Sequence, residues 1–132
     1  MKNIQQAAVV IANAIMAGHM LHVFGTGHSH MLAEELFYRA GGLACINPIL
    51  EEGLMLHRHA AQSTDLERLE GLASIIFNQQ SAKAGDVIII ASNSGRNAAN
   101  IEMALVAKSL GLTVIALTSL NHAGASNSRH SS

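Results

Sequence analysis

The chain has 132 residues, 49% hydrophobic and 13% charged, and its 8 basic and 9 acidic residues give a net charge of −1. This length fits one domain with a packed core, and the composition excludes general disorder. The near-neutral charge and the aromatic content of 3% exclude a dedicated nucleic-acid binder. No apolar run is long enough to span a bilayer, the N-terminus lacks a signal-peptide layout, and the single cysteine, Cys45, cannot form an internal disulfide. We therefore expect a cytoplasmic domain without a membrane partner.

Hydrophobic spacing predicts two helices and two strands in the first third of the chain. Apolar residues recur at helical spacing over residues 3–17, and residues 20–24 form a short apolar run typical of a buried strand. A second helix is predicted over residues 29–38. The second strand is predicted at residues 43–46, and we expect Pro48 to end it because proline has no N–H to donate to a ladder.

The rest of the chain continues the alternation of helices and strands. Residues 49–62 have no clean period and are predicted as a loop with a helical turn in it, while Thr64 and Glu67 match the capping box of a following helix. Residues 86–91 and 113–117 are apolar and rich in β-branched residues, with helical spacing between them. This order predicts an α/β fold, with a parallel sheet of at least four strands between two layers of helices. Ligands of such sheets bind outside the carboxyl ends of the strands.

A polar turn, Ser-Asn-Ser-Gly-Arg-Asn, follows the clearest predicted strand and opens a helix. Free N–H groups and the helix dipole favour an anion there, and the hydroxyls of Ser92 and Ser94 add neutral donors. Gly95 allows the backbone to approach a phosphate, and Arg96 adds charge at the rim. The alternative is an ordinary turn in which Ser94 or Asn97 caps the helix. The position after a buried strand favours anion binding.

A second polar turn, Gly-Thr-Gly-His-Ser-His, follows the first predicted strand. It is not the dinucleotide fingerprint, because the third glycine would fall at His30, and it lacks the ending of a P-loop. A small phosphorylated ligand is therefore favoured over a nucleotide, and the alternative is a glycine turn with Ser29 as the helix cap. The candidate ligand-binding residues of the two turns, which we expect to face one another, are Thr26, Gly27, Ser29, Ser92, Asn93, Ser94, Gly95, Arg96 and Asn97.

Residues 22–42 and 86–97 resemble the SIS (sugar isomerase) family of phosphosugar-binding domains, and in particular its uncharacterised bacterial members similar to phosphoheptose isomerase. The resemblance covers nearly the whole chain. It implies a flavodoxin-like sheet in a three-layer α-β-α sandwich, and a sugar phosphate held by both turns. By motif position, the residues that it assigns to this role are Ser29, Ser92, Ser94 and Asn97.

The resemblance also has implications for the oligomeric state and for the C-terminal extent of the domain. Family members form dimers or tetramers with sites near subunit contacts, so a homodimer or homotetramer is expected. SIS domains continue with a fifth strand and a last helix, which this sequence lacks. We therefore expect residues 1–132 to be a single SIS-type domain that is C-terminally truncated, and we expect His122, Arg129 and His130 in its polar tail to contact the ligand in a full domain.

Two residues are candidates for proton transfer. Glu35 matches the acid–base glutamate of the phosphoheptose isomerases, which implies that it moves a proton between C1 and C2 of an open-chain sugar phosphate. The residues alone allow another interpretation, a solvated ion pair between Glu35 and Arg39. His59, or His57 beside it, is the candidate general acid for opening a sugar ring, because the loop after the second strand opens on the same edge of the sheet.

The histidine pairs at His28 and His30 and at His57 and His59 raise the possibility of zinc or nickel binding. Neither pair has helical spacing or an accompanying carboxylate, so we expect polar loop histidines, no metal and no other cofactor. The leading hypothesis is isomerisation, or related acid–base chemistry, on a sugar phosphate. The alternatives are a phosphosugar sensor without catalysis and an assembly module with vestigial sites.

Overall fold

The structure, a computed structural model, describes residues 2–125 and 127–131, in which helices alternate with four strands. The helices are α1 (Lys2–Met16), α2 (Met31–Leu36), α3 (Leu56–Leu66), α4 (Leu72–Asn78), α5 (Ala98–Ser109) and α6 (Leu120–Gly124). The strands are β1 (Leu21–Gly25), β2 (Ile46–Ile49), β3 (Val87–Ala91) and β4 (Thr113–Leu117), and short 3-10 helices cover Gly27–His30 and Glu52–Leu54. None of the described helices is long and apolar enough to cross a membrane.

The four strands form one parallel sheet in the order β2-β1-β3-β4. Side chains of β3 point alternately to the two faces, so Ile88 and Ile90 pack with α4 and α5 while Val87 and Ile89 pack with α1 and α2. Burial on both faces explains why this strand is apolar throughout. The predicted α/β class, with helices on both sides of a parallel sheet, is confirmed.

The sheet order brings the two polar turns together. β1 and β3 are direct neighbours, and their last residues, Gly25 and Ala91, are paired in register. Both strands run in the same direction, so the turns that follow them begin side by side at the carboxyl edge of the sheet.

The second strand begins three residues later than the prediction of 43–46. It includes Pro48, which lies opposite Val23 of β1. The prediction that Pro48 ends the strand is therefore wrong. β2 is an edge strand, and an edge is where a sheet tolerates a residue that has no N–H to donate.

The prediction for residues 49–62 contains too little helix. A helical turn is present as the 3-10 helix at Glu52–Leu54, but α3 also occupies the second half of this segment, with non-helical backbone angles at His59. Thr64 lies in the last turn of α3, where its hydroxyl donates to the carbonyl of Ala60 at 3.2 Å, so it begins no helix. Glu67 follows the end of α3, and α4 begins only after Gly71, whose φ of +91° interrupts the helix. The predicted capping box is therefore not formed.

A buried carboxylate holds the amino ends of the strands together, at the edge opposite the turns. Asp86 accepts hydrogen bonds from the N–H groups of Met20 and Lys83, both at 3.0 Å, and from His22 Nε2 at 3.1 Å. His19 Nδ1 lies 3.3 Å from Oδ1, the carboxylate oxygen that also accepts from Met20. Burial alone would raise the pKa of Asp86, but the hydrogen bonds outweigh burial and lower the pKa to about 2.

Candidate functional site

The turns after β1 and β3 enclose an open hollow of about 370 Å³ at the carboxyl edge of the sheet. Its lining is polar and consists of Thr26, Gly27, His28, Ser29, Glu67, Ser92, Asn93, Ser94, Arg96, Asn97, His122 and Arg129. Apart from Gly95, every ligand-binding candidate of the two turns lines this hollow, and Ser29 and Ser94 share it. Of the tail residues expected to contact the ligand, His122 and Arg129 line the hollow and His130 does not.

The first turn is tight because its backbone folds back on itself. A Cβ atom on Gly25 would lie 2.6 Å from the carbonyl oxygen of Ser29, so only glycine fits at this position. Gly27 has a φ of +56°, a conformation that favours glycine. The N–H of Ser29 donates to the carbonyl of Thr26 at 3.0 Å and closes the turn, which leaves the half-buried Ser29 side chain at the hollow.

Thr26 joins this turn to two other elements. Its hydroxyl donates to Glu67 Oε2 at 2.8 Å and accepts from Asn100 Nδ2 at 3.2 Å. The single hydroxyl proton is therefore engaged by Glu67, and the Thr26 side chain has none to donate to a ligand. Glu67 in turn accepts the N–H of Ala99, in the first turn of α5, through its backbone carbonyl at 3.0 Å.

The second turn presents unused donors. The Ser92 hydroxyl accepts from the N–H of Gly95 at 3.1 Å and keeps its own proton for donation. Within residues 2–125 and 127–131, the hydroxyl of Ser94 and the N–H groups of Ser94, Arg96 and Ala98 have no partner. Donors without partners at the start of a helix are the groups that bind an anion. Gly95 itself, with a φ of +64°, lines an adjoining apolar hollow.

The polar tail supplies a second cationic group to the hollow. The backbone N–H of Arg129 donates to the carbonyl of Arg96 at 2.8 Å, and its Nη1 donates to Asn97 Oδ1 at 2.7 Å. Burial, followed by repulsion from Arg96 and Arg68, lowers the pKa of Arg129. The positive charges of Arg129, Arg96 and Arg68 are therefore already close together before any anion binds.

Glu35 lies beside the hollow rather than in it. It lines an adjoining hollow of about 490 Å³ that shares Ser29 and Ser92 with the first. Its carboxylate is exposed and forms an ion pair with Arg39, one turn further along the chain. The solvated pair considered from the sequence is thus present, and the catalytic role of Glu35 stays a prediction.

The histidines are divided between the hollow and its surroundings. His59 is exposed on α3, where its Nδ1 accepts from the N–H of Gln62 at 3.3 Å, and the hollow is lined instead by His28 and His122. The general-acid role of His59 therefore stays a prediction.

His30 is buried, and neighbouring groups surround its ring. Its Nδ1 donates to the carbonyl of Gly27, its Nε2 lies 3.5 Å from a carboxylate oxygen of Glu34, and its ring centroid is 5.8 Å from that of His57. Among the described residues, no group of three or more histidine, cysteine or acidic side chains is arranged to hold a metal.

Sequence reasoning missed Glu67 as part of the hollow, because Thr64 and Glu67 match a local capping pattern. The carboxylate instead pairs with Thr26, a residue 41 positions away. A contact over such a separation leaves no local signal in a single sequence.

Comparisons with known proteins agree with the geometry. The family model of the SIS domain matches residues 1–119. The UPF0309 proteins of Thermoanaerobacter pseudethanolicus and Listeria innocua are 53% and 46% identical, over 99% and 98% of this chain. The chain spans about half the length of these curated relatives, 54% and 52% respectively.

Two solved structures share the fold at low sequence identity. Phosphoheptose isomerase GmhA from Neisseria gonorrhoeae superimposes with a TM-score of 0.69 at 21% identity, over 96% of this chain and 68% of its own. A phosphoheptose isomerase from Francisella tularensis gives 0.67 at 18% identity, over 98% and 70%.

Proposed function

We propose that this chain, which belongs to the SIS domain family, binds the phosphate group of a phosphorylated sugar in the hollow between the turns after β1 and β3. The observation that carries this proposal is the set of unpartnered donors in the second turn, which line one hollow together with Ser29. Phosphate oxygens accept hydrogen bonds and carry negative charge, so they complement these donors and the guanidinium groups of Arg96 and Arg129.

The remainder of the hollow can accommodate the hydroxyl-bearing part of a sugar. The Glu67 carboxylate faces the same space and accepts hydrogen bonds, which sugar hydroxyls can donate. A carboxylate would repel a second phosphate group placed against it. A ligand with one anionic end and a neutral, hydroxyl-rich end therefore fits this lining better than a compact polyanion does.

The proposed reaction is aldose–ketose isomerisation. Glu35 removes the proton from C2 of the open-chain aldose phosphate and returns a proton to C1, while a proton moves from O2 to O1. Its support is that the Glu35 hollow shares Ser29 and Ser92 with the phosphate hollow, and that the two structural neighbours are phosphoheptose isomerases by name. His59 is the proposed acid for ring opening, and His59→Ala beside His28→Ala tests which histidine has that role.

A second candidate function is phosphosugar sensing without catalysis. It is favoured by the ion pair with Arg39, which engages the Glu35 carboxylate away from the phosphate hollow. For either function we propose a homodimer or a homotetramer, as the family resemblance implies. Light scattering after size-exclusion chromatography measures this assembly.

A panel of hexose and heptose phosphates separates the two functions, because turnover indicates an isomerase and binding without turnover indicates a sensor. Ser94→Ala should weaken binding of the sugar phosphate more than binding of the unphosphorylated sugar, with Ser109→Ala, at the far end of α5, as the matched control. Equal weakening of both ligands contradicts the phosphate assignment. Glu35→Gln should abolish turnover and preserve binding, and turnover that persists eliminates Glu35 as the base.

A further inference from the structure

We infer that Arg129 determines the specificity of this site for a dianionic ligand, because its guanidinium orients the amide of Asn97 and adds positive charge beside it. The inference rests on the proposed function, since it concerns the same hollow. It adds that the polar tail of the chain, and not only the turns of the sheet, sets which ligands bind.

The tail is held against the site at two separate points. Arg129 is anchored by its backbone N–H to the carbonyl of Arg96 and by its side chain to Asn97. Two residues later, the backbone N–H and the hydroxyl of Ser131 donate to the two carboxylate oxygens of Glu70, at 2.7 and 2.8 Å. These contacts hold Arg129 at the hollow, which it lines.

The contact with Arg129 decides how the Asn97 amide is oriented. A guanidinium carries only donors, so the amide atom that it touches at 2.7 Å must be the oxygen. The other end of the amide is then Nδ2, a donor with no partner among residues 2–125 and 127–131. Asn97 is only 9% exposed, and its lining position leaves this donor for a ligand.

Asn97 stands at a position where asparagine ordinarily caps a helix. At the start of α5 its backbone has the extended conformation of a cap residue, with φ of −74° and ψ of 143°, but its side chain makes no capping hydrogen bond. Its oxygen accepts from Arg129 instead. The pairing therefore withdraws the side chain from a structural role and presents its amide N–H₂ as a donor, as an anion requires.

The charges around Arg129 favour an anion that carries two negative charges. The guanidinium groups of Arg96 and Arg68 repel that of Arg129, and the Glu67 carboxylate attracts it. A bound dianion offsets this repulsion, whereas a neutral sugar leaves it unchanged. Removal of Arg129 should thus weaken binding of phosphate and have little effect on binding of an unphosphorylated sugar.

The test uses Arg129→Gln, with inorganic phosphate as the probe and isothermal titration calorimetry as the measurement. The matched control is Arg68→Gln, which removes a nearby exposed charge that does not line the hollow. We expect Arg129→Gln to weaken phosphate binding about tenfold or more, the range of a lost hydrogen bond to a charged group. We expect Arg68→Gln to weaken it less than about threefold, as for a screened surface charge.

A second background separates orientation of the amide from a general effect of the tail. Asn97→Ser replaces the amide with a hydroxyl, which rotates freely and can donate a hydrogen bond to phosphate whether or not Arg129 is present. Arg129→Gln should therefore weaken phosphate binding by a clearly smaller factor in the Asn97→Ser background than in the natural sequence. Equal factors in the two backgrounds overturn the role of Arg129 in orienting the amide.

The outcomes distinguish this inference from the proposed function. If the natural protein does not bind phosphate, the proposed function fails together with the inference. If it binds phosphate and Arg129→Gln binds equally well, the inference alone is overturned. Should Arg129→Gln not fold, Arg129→Met removes the charge and every side-chain donor while it keeps a long side chain, and unchanged phosphate affinity in that variant also overturns the inference.

Discussion

Substitution of Asp86 by asparagine tests whether the buried carboxylate network stabilises the sheet. The side chain is fully buried and accepts from Met20, His22 and Lys83. An asparagine places an N–H₂ group where one carboxylate oxygen accepted, so donors face donors. Loss of a buried charged acceptor of this kind costs about 3 kcal/mol of unfolding free energy.

The pH dependence of unfolding gives a second, independent value for the stabilisation that Asp86 contributes. The pKa of Asp86 falls from 3.8 to about 2 on folding, which corresponds to about 2 kcal/mol of stabilisation near neutral pH. Because the folded pKa is the lower one, this stabilisation is complete above the unfolded pKa of 3.8 and is lost as the pH falls toward about 2. The difference in stability between the natural protein and Asp86→Asn should therefore narrow over that range.

Urea denaturation followed by circular dichroism, at several pH values between about 6 and about 2, measures both quantities. Asp65→Asn is the matched control, because Asp65 is an exposed carboxylate on α3 and its loss should change stability by less than about 0.5 kcal/mol. If Asp86→Asn lowers the unfolding free energy as little as the control does, the buried carboxylate does not stabilise the sheet as argued. A difference between the natural protein and Asp86→Asn that stays constant across the acid range leads to the same conclusion.

Two further substitutions test contacts at the helix starts and turns. The carboxylate of Glu102, which is buried on α5, accepts hydrogen bonds from N–H groups at the start of α4. Glu102→Gln should therefore lower the unfolding free energy by about 1–3 kcal/mol. The control Glu52→Gln, on the surface, should leave the unfolding free energy nearly unchanged. Urea denaturation measures both, and equal effects would contradict the role of Glu102. Gly25→Ala would place a Cβ atom 2.6 Å from the carbonyl oxygen of Ser29 and should displace the first turn. We expect the unfolding free energy to fall by about 1–3 kcal/mol and phosphate to bind more weakly. The control is Gly124→Ala, whose Cβ atom would meet no atom within 4 Å. Unchanged phosphate affinity in Gly25→Ala would show that the first turn does not hold the ligand.

Much of the fold follows from local patterns. β3 and β4 are continuous apolar runs between turn residues, and such runs identify buried parallel strands without knowledge of their neighbours. The meeting of the two polar turns needs one more step, because it depends on β1 and β3 being adjacent. Topological rules for parallel sheets supply that step, so the shared hollow could be anticipated from the sequence.

The errors lie where a distant residue outweighs a local signal. Glu67 completes a capping pattern with Thr64, yet its carboxylate binds Thr26, and the N-terminus of α4 is stabilised instead by Glu102, about 30 positions along the chain. Pro48 remains within a strand because β2 is at the edge of the sheet, a property of the sheet order that a local rule does not contain.

The position of Arg129 beside Asn97 has the same origin. The two residues are 32 positions apart and are joined only when the tail folds back to the start of α5. A polar, serine-rich tail gives no periodicity from which such a contact could be read. The chemistry of the hollow was therefore more predictable for the residues on the sheet than for those that reach it from elsewhere.

The strands β1 and β3 carry a buried carboxylate network at one end and the polar hollow at the other, roughly 16 Å apart for five-residue strands. No residue that lines the hollow belongs to either apolar cluster of the described core. A relative can therefore exchange its turn residues and accept a different ligand while the same anchoring groups keep the scaffold intact.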